Sequence, residues 1–124
     1  MNAKKPIPHV LVVDDEPLIR WSVAETLSGR GMTVAQASDG ASTLKVLRNE
    51  PRFDVIVLDL RMPDVDDLSL LEKIRELYPS TAVVLMSAFG SPEVKERALR
   101  MGARQLINKP FEMGDMAAAV EAAA

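Results

Sequence analysis

Hydrophobic and polar positions along the chain fall into two alternating kinds of segment. Short apolar runs cover His9 to Val13, Thr33 to Ala37, Val55 to Leu58, Ala82 to Met86 and Gln105 to Asn108, and between them apolar residues return every three or four positions. The runs have strand length, and those ending in Val13, Leu58 and Met86 lack polar alternation, as strands covered on both faces do. Ile19, Val23 and Leu27 mark the buried stripe of a helix over about Pro17 to Arg30. Pro17 opens it where a missing N–H costs nothing, and Gly31 is placed to end it in a left-handed cap. Trp21 lies about 200° around this helix from Ile19, off the stripe, where an exposed indole points to partner contact or to a ring resting on neighbouring stems.

Asp39-Gly40 predicts a turn, followed by a helix from Ala41 to Asn49 with Leu44 and Leu47 inward and Pro51 beyond it. Asp67 can cap a third helix, which carries Leu70, Leu71, Ile74 and Leu77 and ends at Tyr78-Pro79. Ser91-Pro92-Glu93 opens a fourth, whose stripe is only Val94, Ala98 and Met101, a thin anchor. Gly102 ends it, and a last helix runs from Glu112 to about Ala123. Met101, Met113 and Met116 read as core filler, with dimer contact as the lesser reading. Five strands alternating with five helices predict an α/β fold, a doubly wound parallel (βα)5 sheet. Right-handed crossovers, with two helices on one face and three on the other, favour the order 2-1-3-4-5.

A length of 124 residues allows one core. The 48% hydrophobic and 27% charged content is globular usage, so residues 9–124 are read as one domain and residues 1–8, MNAKKPIP, as a disordered lead-in. A net charge of −3 with scattered Lys and Arg argues against direct nucleic-acid binding. The absence of cysteine removes disulfides and thiolate metal sites and fits a cytoplasmic protein. Nothing in the sequence has the pattern of a signal peptide or the length of a membrane span.

That sheet order brings the polar residues after the strands to one edge, where ligands of open α/β sheets collect. Asp14 and Asp15 follow the first strand, Asp59 the third, Ser87 the fourth and Lys109 the fifth. Asp14-Asp15-Glu16 alone could be helix capping, Ser87 a loop serine, Lys109 a solvated surface residue and His9 a bystander where the first strand begins; the combination is what carries meaning. Three converging carboxylates repel, and a hard cation such as Mg²⁺ relieves this while keeping waters and accepting phosphate oxygen. Carboxylates with a hydroxyl and a lysine make a phosphoryl site, in which Asp59 is the nucleophile and Lys109 and Ser87 hold the equatorial oxygens.

VLVVDDE, VIVLDLRMPD, VVLMSA and INKPF, in this order and spacing, resemble the receiver domain of two-component response regulators from about His9 to the C-terminus. The DDEPLIRWSVAETL wording is most similar to receivers of sigma-54-dependent transcriptional activators. The resemblance implies a flavodoxin-like (CheY-like) fold and phosphotransfer to Asp59 from a sensor histidine kinase or phosphotransfer domain. It implies Mg²⁺ on Asp15, Asp59 and the Arg61 carbonyl, with Asp14 through water. It also implies phosphate contacts from Ser87, the Ala88 backbone and Lys109, and a cis bond before Pro110. The expected output is a changed surface around helix four, strand five and helix five that controls homodimerisation or an output domain, one expected to lie outside this chain, in the service of transcription regulation. Beyond self-phosphorylation and slow autodephosphorylation no enzymatic activity is implied.

The chain departs from the family pattern at Leu106, where members carry Tyr or Phe that turns inward as the switch operates. Phe89, two residues past Ser87, could supply a substitute ring, so Ser87, Leu106 and Phe89 are the candidate switch residues. Asp67 replaces a usual glycine, either capping the next helix or adding charge beside the site. Leu106 is the one support for an alternative, a receiver-like interaction module that works without phosphate. An aspartyl phosphatase is disfavoured because Arg61 stands where its general acid would be, and a flavin site lacks a phosphate-cradling loop and stacking aromatics.

Overall fold

In the computed structural model, which describes residues 7–50, 52–60, 68–88 and 91–124, the order of elements is that of the hydrophobic pattern. The strands are β1 (His9–Val13), β2 (Thr33–Ala37), β3 (Val55–Asp59), β4 (Ala82–Ser87) and β5 (Gln105–Asn108). The helices are α1 (Pro17–Gly29), α2 (Gly40–Asn49), α3 (Ser69–Leu77), α4 (Pro92–Arg100) and α5 (Met113–Ala123). All strand pairs are parallel and the sheet order is β2-β1-β3-β4-β5. None of the helices among the described residues is long and apolar enough to cross a membrane.

Strand alternation divides the core in two. Leu11, Ile56, Leu58, Val83 and Leu85 pack with Leu47, Leu71, Ile74 and Ala98 from α2, α3 and α4. Val10, Val12, Val57, Val84 and Met86 pack with Val23, Leu27, Met116 and Val120 from α1 and α5. The expected split of three helices against two is therefore observed. β3 and β4 are buried throughout, while the edge strands are partly exposed, at Thr33 and Gln36 in β2 and at Gln105 and Asn108 in β5.

Helix ends follow local chemistry. Gly31 (φ 88°) and Gly102 (φ 103°) end α1 and α4 in left-handed caps. In both, two backbone N–H groups close onto the last turn: Gly31 and Met32 onto Ser28 and Leu27, Gly102 and Ala103 onto Leu99 and Ala98. Ser91 caps α4 by accepting from the Val94 N–H at 3.2 Å. Ala98 is the one buried residue of that helix, against four in α5, so the thin anchoring of α4 is real.

Three expectations change. Asp39-Gly40 is a helix start and not a turn: Asp39 is the N-cap of α2, accepting from the Ser42 N–H at 2.7 Å, while the Ser42 hydroxyl reaches back to the Asp39 N–H. Leu77, expected inward, is 55% exposed because α3 stops there and Tyr78 turns back to pack on the core in its place. Pro8, assigned to the lead-in, is tied to β2 through the Thr33 N–H to its carbonyl at 3.0 Å. Asp67 lies outside the described residues; Leu68 precedes α3 without a side-chain cap bond.

Candidate functional site

The C-terminal ends of β1, β3, β4 and β5 meet at one edge. Asp14 is completely buried, and each of its polar groups is engaged. Its N–H donates to the Ala37 carbonyl (3.2 Å), its Oδ1 accepts from the Glu16 N–H (2.9 Å), and its Oδ2 accepts from Lys109 Nζ (2.8 Å). Lys109 Nζ also lies 3.4 Å from Asp59 Oδ2. Asp59, 3% exposed, ends β3 in register with Met86. Asp15 is exposed, and one carboxylate oxygen each from Asp14, Asp15 and Asp59 lie within 4.8 Å of one another.

Burial alone would lower the Lys109 pKa. The Asp14 hydrogen bond and the charges of Asp59 and Asp14 outweigh it, so the ammonium is held above its ordinary value. Lys109 therefore stays charged, yet one cation cannot match three carboxylates. Two unit charges about 4 Å apart interact by roughly 1 kcal/mol in water and about 4 kcal/mol at an effective dielectric near 20. The edge thus has a standing electrostatic deficit, and its donors are all oxygens, the set that suits a hard divalent cation.

Ser87 is buried at the tip of β4 in register with Asn108, and its carbonyl accepts the N–H of the next residue, Lys109, at 2.8 Å, so one backbone hydrogen bond ties the serine to the lysine. Ala88 follows and is exposed. Leu106 is buried in β5 opposite Leu85, an aliphatic side chain already inside the core. The Lys109–Pro110 bond is cis, as the resemblance implied. Arg61 and Phe89, named for the metal and for the switch, lie outside the described residues.

The sequence pattern did not single out Arg20. From the first turn of α1 its Nη1 donates to the Asp14 carbonyl at 2.8 Å, and its Nε donates to Gln36 Oε1 at 3.2 Å. A legible signal existed: a cation in the first turn of a helix opposes the dipole and needs acceptors nearby. His9, read as a bystander, closes the opposite edge, with its ring 4.1 Å from that of Phe53 and its N–H on Asp54 Oδ2 at 2.8 Å.

A doubly wound parallel sheet that gathers acidic side chains and a lysine at the C-terminal ends of its strands has the architecture of a receiver domain. The chain belongs to the response regulator receiver domain family, whose family model matches residues 10–121. Among its relatives is the DNA-binding transcriptional regulator NtrC of Escherichia coli (strain K12), 36% identical over 114 residues, which are 92% of this chain and 24% of that protein. The crystal structure of the receiver domain of NtrX from Brucella abortus is similar with 34% identity and a TM-score of 0.85, over 92% of this chain and 96% of that one. A response regulator from Burkholderia pseudomallei, solved with a phosphorylated aspartic acid, calcium ion and citrate, is similar with 27% identity and a TM-score of 0.83, over 91% of this chain and 66% of that one. The chain spans about a quarter of the length of the NtrC proteins it matches.

Proposed function

We propose that Asp59 accepts a phosphoryl group from the phosphohistidine of a sensor histidine kinase or phosphotransfer domain. The observation that carries this is the convergence of the Asp14, Asp15 and Asp59 oxygens within 4.8 Å, with Lys109 bridging Asp14 and Asp59. An Asp59 carboxylate oxygen attacks phosphorus, the P–N bond breaks, and the imidazole leaves with the electron pair and takes up a proton. Asp14, Asp15 and Asp59 would hold Mg²⁺, with the Arg61 carbonyl as the further ligand the resemblance implies. Mg²⁺ when bound neutralises charge on the transferring oxygens. Lys109 then ion-pairs with the new phosphoryl group, and the Ser87 hydroxyl and the Ala88 N–H donate to it.

Strong acceptors added at these tips pull on Ser87 and Lys109, which share a backbone hydrogen bond across β4 and β5. The element least able to resist is α4, with its single buried residue. The surface formed by α4, β5 and α5 changes and governs homodimerisation or an output domain in the cytoplasm, in transcription regulation of the kind its relatives' names describe. Trp21 and Leu18, 55% and 73% exposed on α1 just after the acidic loop, are the apolar contact we assign to the kinase. No chemistry beyond self-phosphorylation and slow loss of the phosphoryl group is assigned. The phosphate-independent alternative is not favoured, because Asp14, Asp15 and Asp59 converge and Lys109 pairs with Asp14.

Intact-mass spectrometry after incubation with acetyl phosphate, with and without Mg²⁺, on wild type and Asp59→Asn tests the reading. A metal-dependent gain of one phosphoryl group that vanishes in the variant is expected. A folded wild type that takes up no phosphoryl group from any phosphodonor overturns it.

A further inference from the structure

We infer that Arg20 is a positioning residue for the acidic loop, fixing the peptide plane from which both metal-facing carboxylates of that loop depart. Its Nη1 lies 2.8 Å from the Asp14 carbonyl oxygen. That oxygen belongs to the rigid Asp14–Asp15 peptide group, so holding it fixes the direction in which the chain enters Asp15. Asp14 is already held from its N–H and both carboxylate oxygens. Exposed Asp15 has no such restraint of its own among the hydrogen bonds described, and Arg20 supplies one through the backbone. The second donor, Nε on Gln36 at the far side of β1, anchors the guanidinium between α1 and β2. A planar fork with donors in two fixed directions performs this task, and a lysine would satisfy one of the two acceptors. Helical side chains lean toward the N-terminus of their helix, which is why a residue in the first turn of α1 reaches back to the tip of β1.

The inference rests on the proposed Mg²⁺ site, and the test separates the two. Mg²⁺ affinity is measured by calorimetry on the whole chain for wild type, Arg20→Met and Arg20→Lys, alongside thermal melts in EDTA and phosphorylation rates at low and saturating Mg²⁺. Arg20→Met is expected to weaken Mg²⁺ binding about tenfold, the usual effect of removing a group that orients ligands. Phosphorylation should then be slow at low Mg²⁺ and approach the wild-type rate at saturation, and Arg20→Lys should recover part of the affinity. A wild type that binds no Mg²⁺ overturns the metal site and this inference together. A wild type that binds, with Arg20→Met equal to it, overturns only the positioning role. So does a rate deficit that persists at saturating Mg²⁺, because Arg20 would then act elsewhere than on the loop. Should Arg20→Met fail to fold, Gln36→Leu removes the outer anchor alone: a several-fold weaker Mg²⁺ affinity supports the role and an unchanged one overturns it.

Discussion

At the N-terminal ends of the strands, donors and acceptors among the described residues satisfy one another. The Thr81 hydroxyl donates to the Phe53 carbonyl at 2.9 Å, Arg75 Nη1 donates to the Thr81 and Pro79 carbonyls at 2.9 and 3.0 Å, and the His9 N–H meets Asp54 at 2.8 Å. At the C-terminal ends, three carboxylates face one ammonium. Among the described residues, the same sheet thus has an edge that is settled and an edge where carboxylates outnumber the ammonium that meets them. The difference teaches that burial of polar groups does not itself mark function; an unbalanced set does.

The comparison breaks most sharply at Asp59. Asp59→Asn should lose phosphorylation entirely, while urea unfolding in EDTA shows stability equal to or above wild type, because a repelling charge has gone. A large loss of stability in that variant would mean the edge is structural after all. Next in size, Lys109→Met leaves buried carboxylates unmatched and should cost about 3 kcal/mol in EDTA. Mg²⁺ should restore part of that by binding the folded state, which the shift in melting temperature on adding metal reads directly. At the settled edge, Thr81→Val should cost about 1–2 kcal/mol by leaving the Phe53 carbonyl without its donor, with phosphorylation unchanged. A slowed phosphorylation rate there would erase the distinction between the edges.

The smallest effect concerns alkaline pH. The folded-state pKa of Lys109 is raised above 10.5, so the stability it contributes is complete below that value and is lost as pH climbs through the higher folded one. The gap in urea midpoint between wild type and Lys109→Met should therefore hold at pH 9 and narrow above pH 10.5. A gap that stays constant to pH 12 would mean that the ion pair is not its source.

How much of this was legible depends on the range over which each feature is decided. β1, β3 and β4 could be read because each is a continuous apolar run ending in an acid or a serine, and the sheet order followed from their crossovers. The charged side chains of the site could be read once the order was known, although Lys109 and Asp14 stand 95 residues apart. Asp39-Gly40 could not, since the same dipeptide serves a turn or a helix cap and only Ser42 Oγ, bonding back, decides. Leu77 sits at the right helical spacing, but spacing says nothing about where the helix stops against the sheet. Arg20 is announced locally only as a cation at the wrong end of a helix, and its partner Gln36, like Asp54 for His9, is delivered by another element, 16 and 45 residues away, so the contacts themselves could not be read.

Trp21 is the chain's one tryptophan, and it follows Arg20 on the exposed side of α1. Its indole is half in water and sits next in sequence to the guanidinium that holds the acidic loop. The protein therefore carries its own optical gauge at the edge where its chemistry is assigned. Light emitted by this one indole comes from one location and needs no label, so a rearrangement that changes its surroundings can be followed as it happens.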